Sequence, residues 1–454
     1  MTEEDASSRP GRGRTAASVP RTPAAVVRTA LLAFCGCLGV LSLLPWGLGD
    51  PVFDWNDRFN DLTDYYGTIL NLAAGAGGES LNLGLPVFNY PAPALYVYAF
   101  FIRLFPDPAF ALICFDCVMI LTGLLVLTRA LLKRRAVEAR WIYAAVLMAV
   151  LGAYPFGLML ITANLEGVVW SFTFLGFAFF VAESYPASAL FWAAAVCIKP
   201  FPALFFFLLL GRRRYKETAA AFVAVCLANV AALEALGPTI AIAYAALQRG
   251  VSRYFETYVA AVRIYEIPVD HSAFSCLKQV IRVLVHHESY VRVPQLAIAY
   301  EIFFPISLLL VLACGVYFWR KPILNQVFAI ALLMMLVPPV SFDYTLATMY
   351  LVWGAFLIFL TGDVASGRVA FSLKKSLWIL ISFAVIMAPE PYLALHGDGF
   401  AGQVKALVMI GLLIFVARND MPSSLFGELP GANTTPGKNA IGETRRSPGL
   451  RIVR

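Results

Sequence analysis

Asp61 and Asp64 are the residues whose type and spacing most directly suggest chemistry. They are three positions apart, so a helix would present both carboxylates on one face, and Tyr65 and Tyr66 follow them directly. A carboxylate that aromatic rings partly shield from water can accept a proton from a hydroxyl group, as a general base does. The alternative is that both carboxylates are simply solvated, since residues 50–79 are acidic as a whole.

Polar side chains that interrupt apolar sequence form a second group of candidates. Tyr90 comes just before a short apolar segment, and Asn164 and Glu166 open a longer one. We interpret Lys199, inside the apolar run 187–210, as the one lysine within such a run. A cation buried in a membrane is costly, so it suggests a function such as holding an anion. The alternative is that its long side chain extends to the membrane surface.

A third group lies later in the chain. His271 and Ser272 are followed by Lys278, and Asp343 stands in the polar turn 338–344. His271 and Lys278 offer a second way to bind an anionic group, although a lone histidine is more often structural. The four histidines of the chain are few and scattered. We therefore predict no metal site.

The composition of the chain predicts which elements position these residues. Of the 454 residues, 14% are charged and 60% are hydrophobic, with a mean hydropathy of +0.74. Soluble proteins carry about 25% charged residues, and a single water-soluble core cannot bury so much apolar surface. The net charge of +7 comes from basic residues at the ends of apolar runs, as in cytoplasmic loops, which argues against nucleic-acid binding. Most cysteines lie in apolar runs, which argues against a disulfide framework.

Ten apolar segments have about the length that a membrane-spanning helix needs. They are residues 29–48, 109–132, 141–161, 165–182, 217–236, 295–318, 323–340, 344–361, 377–395 and 402–417. Residues 1–28 and 418–454 are polar, which predicts disordered tails on either side of a membrane domain of residues 29–417. The fold class that follows is an all-α, polytopic helix bundle.

Two further apolar segments do not fit a single crossing. Residues 92–105 would form a helix of roughly 21 Å, which is too short to span, and Lys199-Pro200-Phe201-Pro202 divides residues 187–210. We predict an interfacial helix for the first and a re-entrant hairpin for the second. The basic loops and both termini are then cytoplasmic, and residues 49–108 and 237–294 form two external segments.

The order of these motifs resembles that of the GT-C membrane glycosyltransferases, most closely glycosyltransferase family 87, over roughly residues 29–417. The resemblance rests on Asp61-Leu-Thr-Asp64-Tyr65-Tyr66, Tyr90-Pro-Ala-Pro, Asn164-Leu-Glu-Gly, the alanine-rich stretch ending in Lys199-Pro-Phe-Pro, Asp270-His-Ser, and Pro338-Pro-Val-Ser-Phe-Asp343-Tyr344.

This resemblance implies transfer of a hexose, with mannose the leading candidate, from a polyprenyl-phosphate donor to a lipid or glycan acceptor. The reaction would invert the anomeric centre at the extracytoplasmic face of the inner (plasma) membrane, with the lipid-linked sugar as donor and no cofactor. Asp61 matches the position of the base, with Asp64 as the second candidate, and Tyr65 and Tyr66 would line the sugar site. The residues expected to bind substrate are Tyr90, Asn164, Glu166, Lys199, His271, Ser272, Lys278 and Asp343.

A transporter or a flippase of lipid-linked sugars is the alternative function. Asp116, Glu234, Glu301 and Glu390 lie in or near apolar runs, and acids within a membrane can form a proton relay. The two external segments favour the enzyme, as does the lack of a visible internal repeat of the kind many transporters have. A third possible function is that of a scaffold subunit in an envelope complex. This function would be supported if the protein did not need Asp61 for its role.

Overall fold

The computed structural model describes residues 29–40, 89–133, 154–263, 267–285, 290–292, 294–389 and 400–429. These residues are mostly helical, because a chain in hydrocarbon must satisfy its backbone hydrogen bonds internally and a helix does so within one segment. The predicted all-α class of a polytopic membrane protein is confirmed.

Fifteen α-helices occupy the described part of the chain. The first five are α1 (Thr29–Val40), α2 (Ala92–Leu104), α3 (Pro108–Lys133), α4 (Tyr154–Ile161) and α5 (Glu166–Val181). Next come α6 (Tyr185–Ile198), α7 (Phe206–Gly211), α8 (Tyr215–Leu236), α9 (Ile240–Tyr254) and α10 (Ala273–Val285). The last five are α11 (Pro294–Phe318), α12 (Ile323–Leu336), α13 (Met349–Ile358), α14 (Leu373–Met387) and α15 (Ala401–Arg418).

Five helical segments among the described residues are long and apolar enough to cross a membrane. They are Pro108–Leu131, Tyr215–Leu236, Gln295–Phe318, Asp343–Val364 and Ala401–Arg418, which match five of the ten predicted spans. The spans predicted at 165–182, 323–340 and 377–395 correspond to the shorter helices α5, α12 and α14. The spans predicted at 29–48, 141–161 and 377–395 lie partly outside the described residues.

The chain reverses direction between α6 and α7, as the Lys-Pro-Phe-Pro sequence predicts. Lys199 has an extended backbone and ends α6, and a 3-10 helix, Phe201–Phe205, precedes α7. The rings of Trp192 and Phe205 stack with centroids 5.3 Å apart. In a continuous helix, thirteen residues would separate them by roughly 20 Å. The break therefore folds this segment back on itself and puts Lys199 at its tip.

Helices α5, α12 and α15 connect two opposite ends of the bundle. At the first, the "site end", α5 begins at Glu166 beside Lys199, and α15 begins beside the carbonyl groups of Ile267 and Asp270. At the second, the "tail end", α12 begins and α15 ends against residues 419–429, where Ile323 N donates to Glu428. The candidate residues described below lie at the site end.

The predicted external segment 237–294 is built of short elements rather than one long loop. After α9, a π-helical turn, Phe255–Val259, leads into a two-stranded antiparallel ribbon. Strand β1 (Ala261–Arg263) pairs with β2 (Tyr290–Arg292), and α10 lies between them in the chain. This ribbon closes a loop that carries α10 and the candidate residues just before it.

Residues 419–429, which lie within the predicted C-terminal tail, pack onto the tail end of the bundle. The side chains of Met421, Leu425 and Phe426 are buried, and Asn325 accepts a hydrogen bond from Met421 N at 2.9 Å. These apolar residues are spaced among polar ones, so the segment lacks the length and hydropathy of a span. Residues 430–454 lie outside the described part of the chain.

Candidate functional site

A tight turn between α4 and α5 positions the first cluster of candidate side chains. Ala163 has a positive φ of 48°, which is uncommon for a residue with a Cβ atom. The turn lets Asn164 Oδ1 accept a hydrogen bond from Glu166 N at 2.7 Å, which satisfies a free N–H group at the start of α5. Tyr90 donates its hydroxyl to the same oxygen at 3.4 Å.

Lys199 joins this cluster from the tip of the α6–α7 hairpin. Its ammonium forms an ion pair with the buried Glu166 carboxylate and lies 5.8 Å from the centroid of the Tyr344 ring. The lysine side chain is 18% exposed, against 3% for Glu166. Glu166 therefore holds a cation that remains partly accessible at the site end.

A second cluster of candidate side chains is fully buried. Asp343 accepts a hydrogen bond from Lys405 Nζ at 2.6 Å through one carboxylate oxygen, and its other oxygen lies 3.3 Å from His271 Nδ1. His271 Nε2 lies 3.0 Å from the hydroxyl of Ser341. Burial lowers the pKa of His271, and the neighbouring Asp343 opposes that shift.

Lys405 is a site residue that the sequence analysis missed. It lies in α15, in an apolar run that we predicted as the span 402–417, so Lys199 is not the only lysine within such a run. The signal in the sequence is a charged residue inside a predicted span. Its partner Asp343 was predicted as a substrate-binding residue, but the pairing was not, because the two residues are 62 positions apart in the sequence.

Asp270 fixes the loop that carries His271. Its Oδ1 atom accepts hydrogen bonds from Ser272 N at 3.0 Å and from Ser341 N at 2.9 Å, and its Oδ2 atom lies 3.5 Å from Lys278 Nζ. Lys278 also donates to the Tyr258 carbonyl at 2.6 Å. Ser272 donates its hydroxyl to the Pro339 carbonyl at 3.2 Å. In this arrangement, Ser272 and Lys278 attach the loop to the bundle.

The structure thus brings eight of the twelve predicted site residues to one end of the bundle. The first cluster contains Tyr90, Asn164, Glu166 and Lys199, and the second contains His271, Ser272, Lys278 and Asp343. The two clusters adjoin, since Tyr344, which contacts Lys199, follows Asp343 in the chain. The other four residues, Asp61, Asp64, Tyr65 and Tyr66, lie outside the described residues.

The acids considered for a proton relay do not gather at one place in the described structure. Asp116 is buried in α3 and accepts a hydrogen bond from Ser171 at 3.0 Å. Glu234 and Glu301 lie on exposed surfaces of α8 and α11, and Glu390 lies outside the described residues. Among the described residues, no three His, Cys, Asp or Glu side chains are arranged to hold a metal ion.

The family model for glycosyltransferase family 87 matches residues 88–339. This range contains the first cluster and the loop at His271, and it ends before Asp343 and Lys405. No curated protein and no solved structure matches the chain.

Proposed function

The chain belongs to glycosyltransferase family 87, and from this premise we propose that it transfers a hexose from a polyprenyl-phosphate donor to a lipid or glycan acceptor. The observation that supports this donor most directly is the partly accessible ammonium of Lys199 at the site end. A lipid-linked phosphate lies at the level of the headgroups, so a site at one end of a membrane bundle suits it. Mannose is the leading candidate for the hexose.

In the proposed reaction, the acceptor hydroxyl oxygen attacks the anomeric carbon of the sugar. The bond between that carbon and the phosphate oxygen breaks, and polyprenyl phosphate leaves. Asp61 takes the proton of the attacking hydroxyl, with Asp64 as the second candidate. Lys199 stabilises the charge that develops on the phosphate, because an ammonium donates strong hydrogen bonds to an anionic oxygen.

The proposed orientation puts the site end on the extracytoplasmic side of the inner (plasma) membrane. Basic residues are concentrated in the loops of the tail end, at Arg212–Arg214 and Arg320–Lys321, and such loops stay in the cytoplasm. A phosphatase reporter that is active only outside the cytoplasm should be active when fused after Asp107 and inactive when fused after Arg135. Activity after Arg135 would contradict this orientation.

Sugar transfer by the purified protein in liposomes tests the proposed activity. The assay supplies labelled polyprenyl-phospho-hexoses and extracted envelope lipids, and compares the wild type with Asp61→Asn and Asp64→Asn. We expect transfer by the wild type and its loss in Asp61→Asn, because an amide cannot accept the proton. Transfer that survives in Asp61→Asn and disappears in Asp64→Asn would assign the base to Asp64. If no donor supports transfer by folded wild-type protein, the proposed activity is refuted and the flippase alternative gains support.

A further inference from the structure

Helix α10 is amphipathic, but its exposed face is apolar and most of its polar side chains are buried, which is the reverse of a helix on the surface of a water-soluble protein. Its exposed side chains are apolar, namely Leu277, Val280, Val283 and Leu284, which are 39%, 56%, 56% and 73% exposed. Positions 277, 280 and 284 follow the spacing of one helical face. In water, such a stripe would face a protein core and polar residues would face the solvent.

The buried side of α10 carries polar side chains that are turned towards the candidate site. Ser275, Lys278 and Gln279 are buried. Lys278 contacts Asp270 at 3.5 Å, and Ser275 accepts a hydrogen bond from Gln403 of α15 at 3.3 Å. These polar side chains of α10 thus form their contacts inside the protein. The side chains exposed on its outer surface are the apolar ones.

The start of α10 packs against helix α11, whose exposed surface is also apolar. Helix α11 contains one of the five segments able to span a membrane, and its exposed side chains include Ile298 and Ile302, at 60% and 58%. Phe274, at the start of α10, packs its ring against Tyr300 and Phe303 of α11, with centroids 5.7 and 5.2 Å apart. The contact joins the two helices at the site end.

We infer that α10 is immersed in the membrane leaflet at the site end, with the side chains of Leu277, Val280, Val283 and Leu284 in contact with lipid acyl chains. The predicted external segment 237–294 is then partly a membrane-embedded element rather than a loop in water. Helices of this kind bury an apolar face at the boundary between headgroups and acyl chains.

In this placement, α10 lies between the lipid and the candidate site. One face contacts acyl chains, and the other holds the loop of Asp270 and His271 through Lys278. The immersion itself depends only on the distribution of side chains.

Photo-crosslinking to lipid tests the immersion of α10. Benzoyl-phenylalanine is introduced separately at Val280 and Leu284 of the full chain in liposomes, and lipid adducts are measured by mass spectrometry after irradiation. Ile302 in the span of α11 is the positive control, and the exposed Ser366, in the tail-end turn before α14, is the control outside the hydrocarbon. We expect adduct yields at 280 and 284 close to that at 302 and several-fold above that at 366.

Other cross-linking results would overturn the inference. Yields at 280 and 284 no higher than at 366 would put the face in water. Cross-links to residues 41–88 would show that another part of the chain covers it, and a cross-linked dimer would show a second copy there. Positions 277 and 283 on the same face replace any variant that does not fold. The readout does not require sugar transfer, so its outcome is independent of the proposed activity.

Discussion

Lys199 and Lys405, two of the lysines at the site end, have different surroundings and therefore different expected roles. Lys199 pairs with Glu166 and keeps 18% of its side chain exposed, so a ligand can reach the ammonium. Lys405 and Asp343 are both fully buried. A fully buried ion pair contributes little net stability, but removal of one partner leaves a charge without compensation. Lys199 is therefore a candidate for binding, and Lys405 for positioning Asp343 and His271.

Lys405→Met should destabilise the protein, because it leaves the Asp343 carboxylate buried without its closest cation. We expect a loss of about 3–5 kcal/mol in the free energy of unfolding, as for other broken buried pairs. Unfolding in mixed micelles, followed by circular dichroism, measures it.

The double variant Lys405→Met with Asp343→Asn is the matched control, since it removes both charges. It should recover part of the stability that Lys405→Met loses. Equal destabilisation by the single and the double variant would mean that the charge of Asp343 is not the cause, and that the packing of the Lys405 side chain is.

Lys199→Ala should reduce the rate of sugar transfer. Loss of one donor to a developing negative charge lowers kcat by about 10²–10³-fold in well-studied enzymes. The control is Lys321→Ala, since Lys321 also forms an ion pair, with Asp420 at 2.8 Å, but lies at the tail end. Steady-state transfer rates in liposomes measure both. Equal losses in the two variants would argue against a specific role for Lys199 in the site.

At the scale of elements, the start of α15 depends on a glycine. A Cβ atom at Gly402 would collide with the carbonyl group of Asp270 and come within 3.0 Å of the Ile267 oxygen. These atoms belong to backbone, so they cannot move away as the end of a flexible side chain can. The close approach brings α15, with Lys405, against the loop that carries His271.

Gly402→Ala should therefore push α15 away from residues 267–270 and cost about 1–3 kcal/mol of stability, as overpacking does. Gly411→Ala is the matched control in the same helix, because nothing lies within 4 Å of its added Cβ atom. That variant should be neutral or more stable by about 0.5–1 kcal/mol, since alanine favours a helix over glycine. Melting temperatures in detergent compare the two variants, and similar values would contradict the proposed close packing.

Sequence predicted the elements whose signals are local and missed those that depend on tertiary contacts. The break at Lys199 was visible because two prolines interrupt an apolar run, and the structure has its turn there. Helix α10 was not recognised within the predicted external segment. Polar residues that face the protein alternate with its apolar residues, so the sequence has no continuous apolar run there. Lys405 could have been found in its own span, but its pairing with Asp343 is a contact between distant parts of the chain.

At the scale of the whole molecule, residues 419–429 connect several helices at the tail end. Asn325 of α12 donates to the carbonyl groups of Val416 and Asn419, both at 2.7 Å. Asp363 accepts hydrogen bonds from Ser423 Oγ and Ser424 N, both at 2.9 Å. The segment therefore links α12, α15 and the end of the span Asp343–Val364, which contains α13. At their other ends, these elements carry the site residues: Ser341 follows α12, Asp343 begins the span, and Lys405 lies in α15.

Two truncations separate this packed segment from the residues that follow it. Removal of residues 419–454 exposes the surface that Met421, Leu425 and Phe426 cover, and burial of each such side chain is worth about 1.5–3 kcal/mol. Removal of residues 430–454 leaves that surface covered. We expect the first truncation to lower the melting temperature in detergent strongly and the second to leave it close to that of the wild type. If the shorter truncation were as damaging as the longer one, residues 430–454 would contribute to stability, and if neither mattered, the packing at the tail end would be dispensable for the fold.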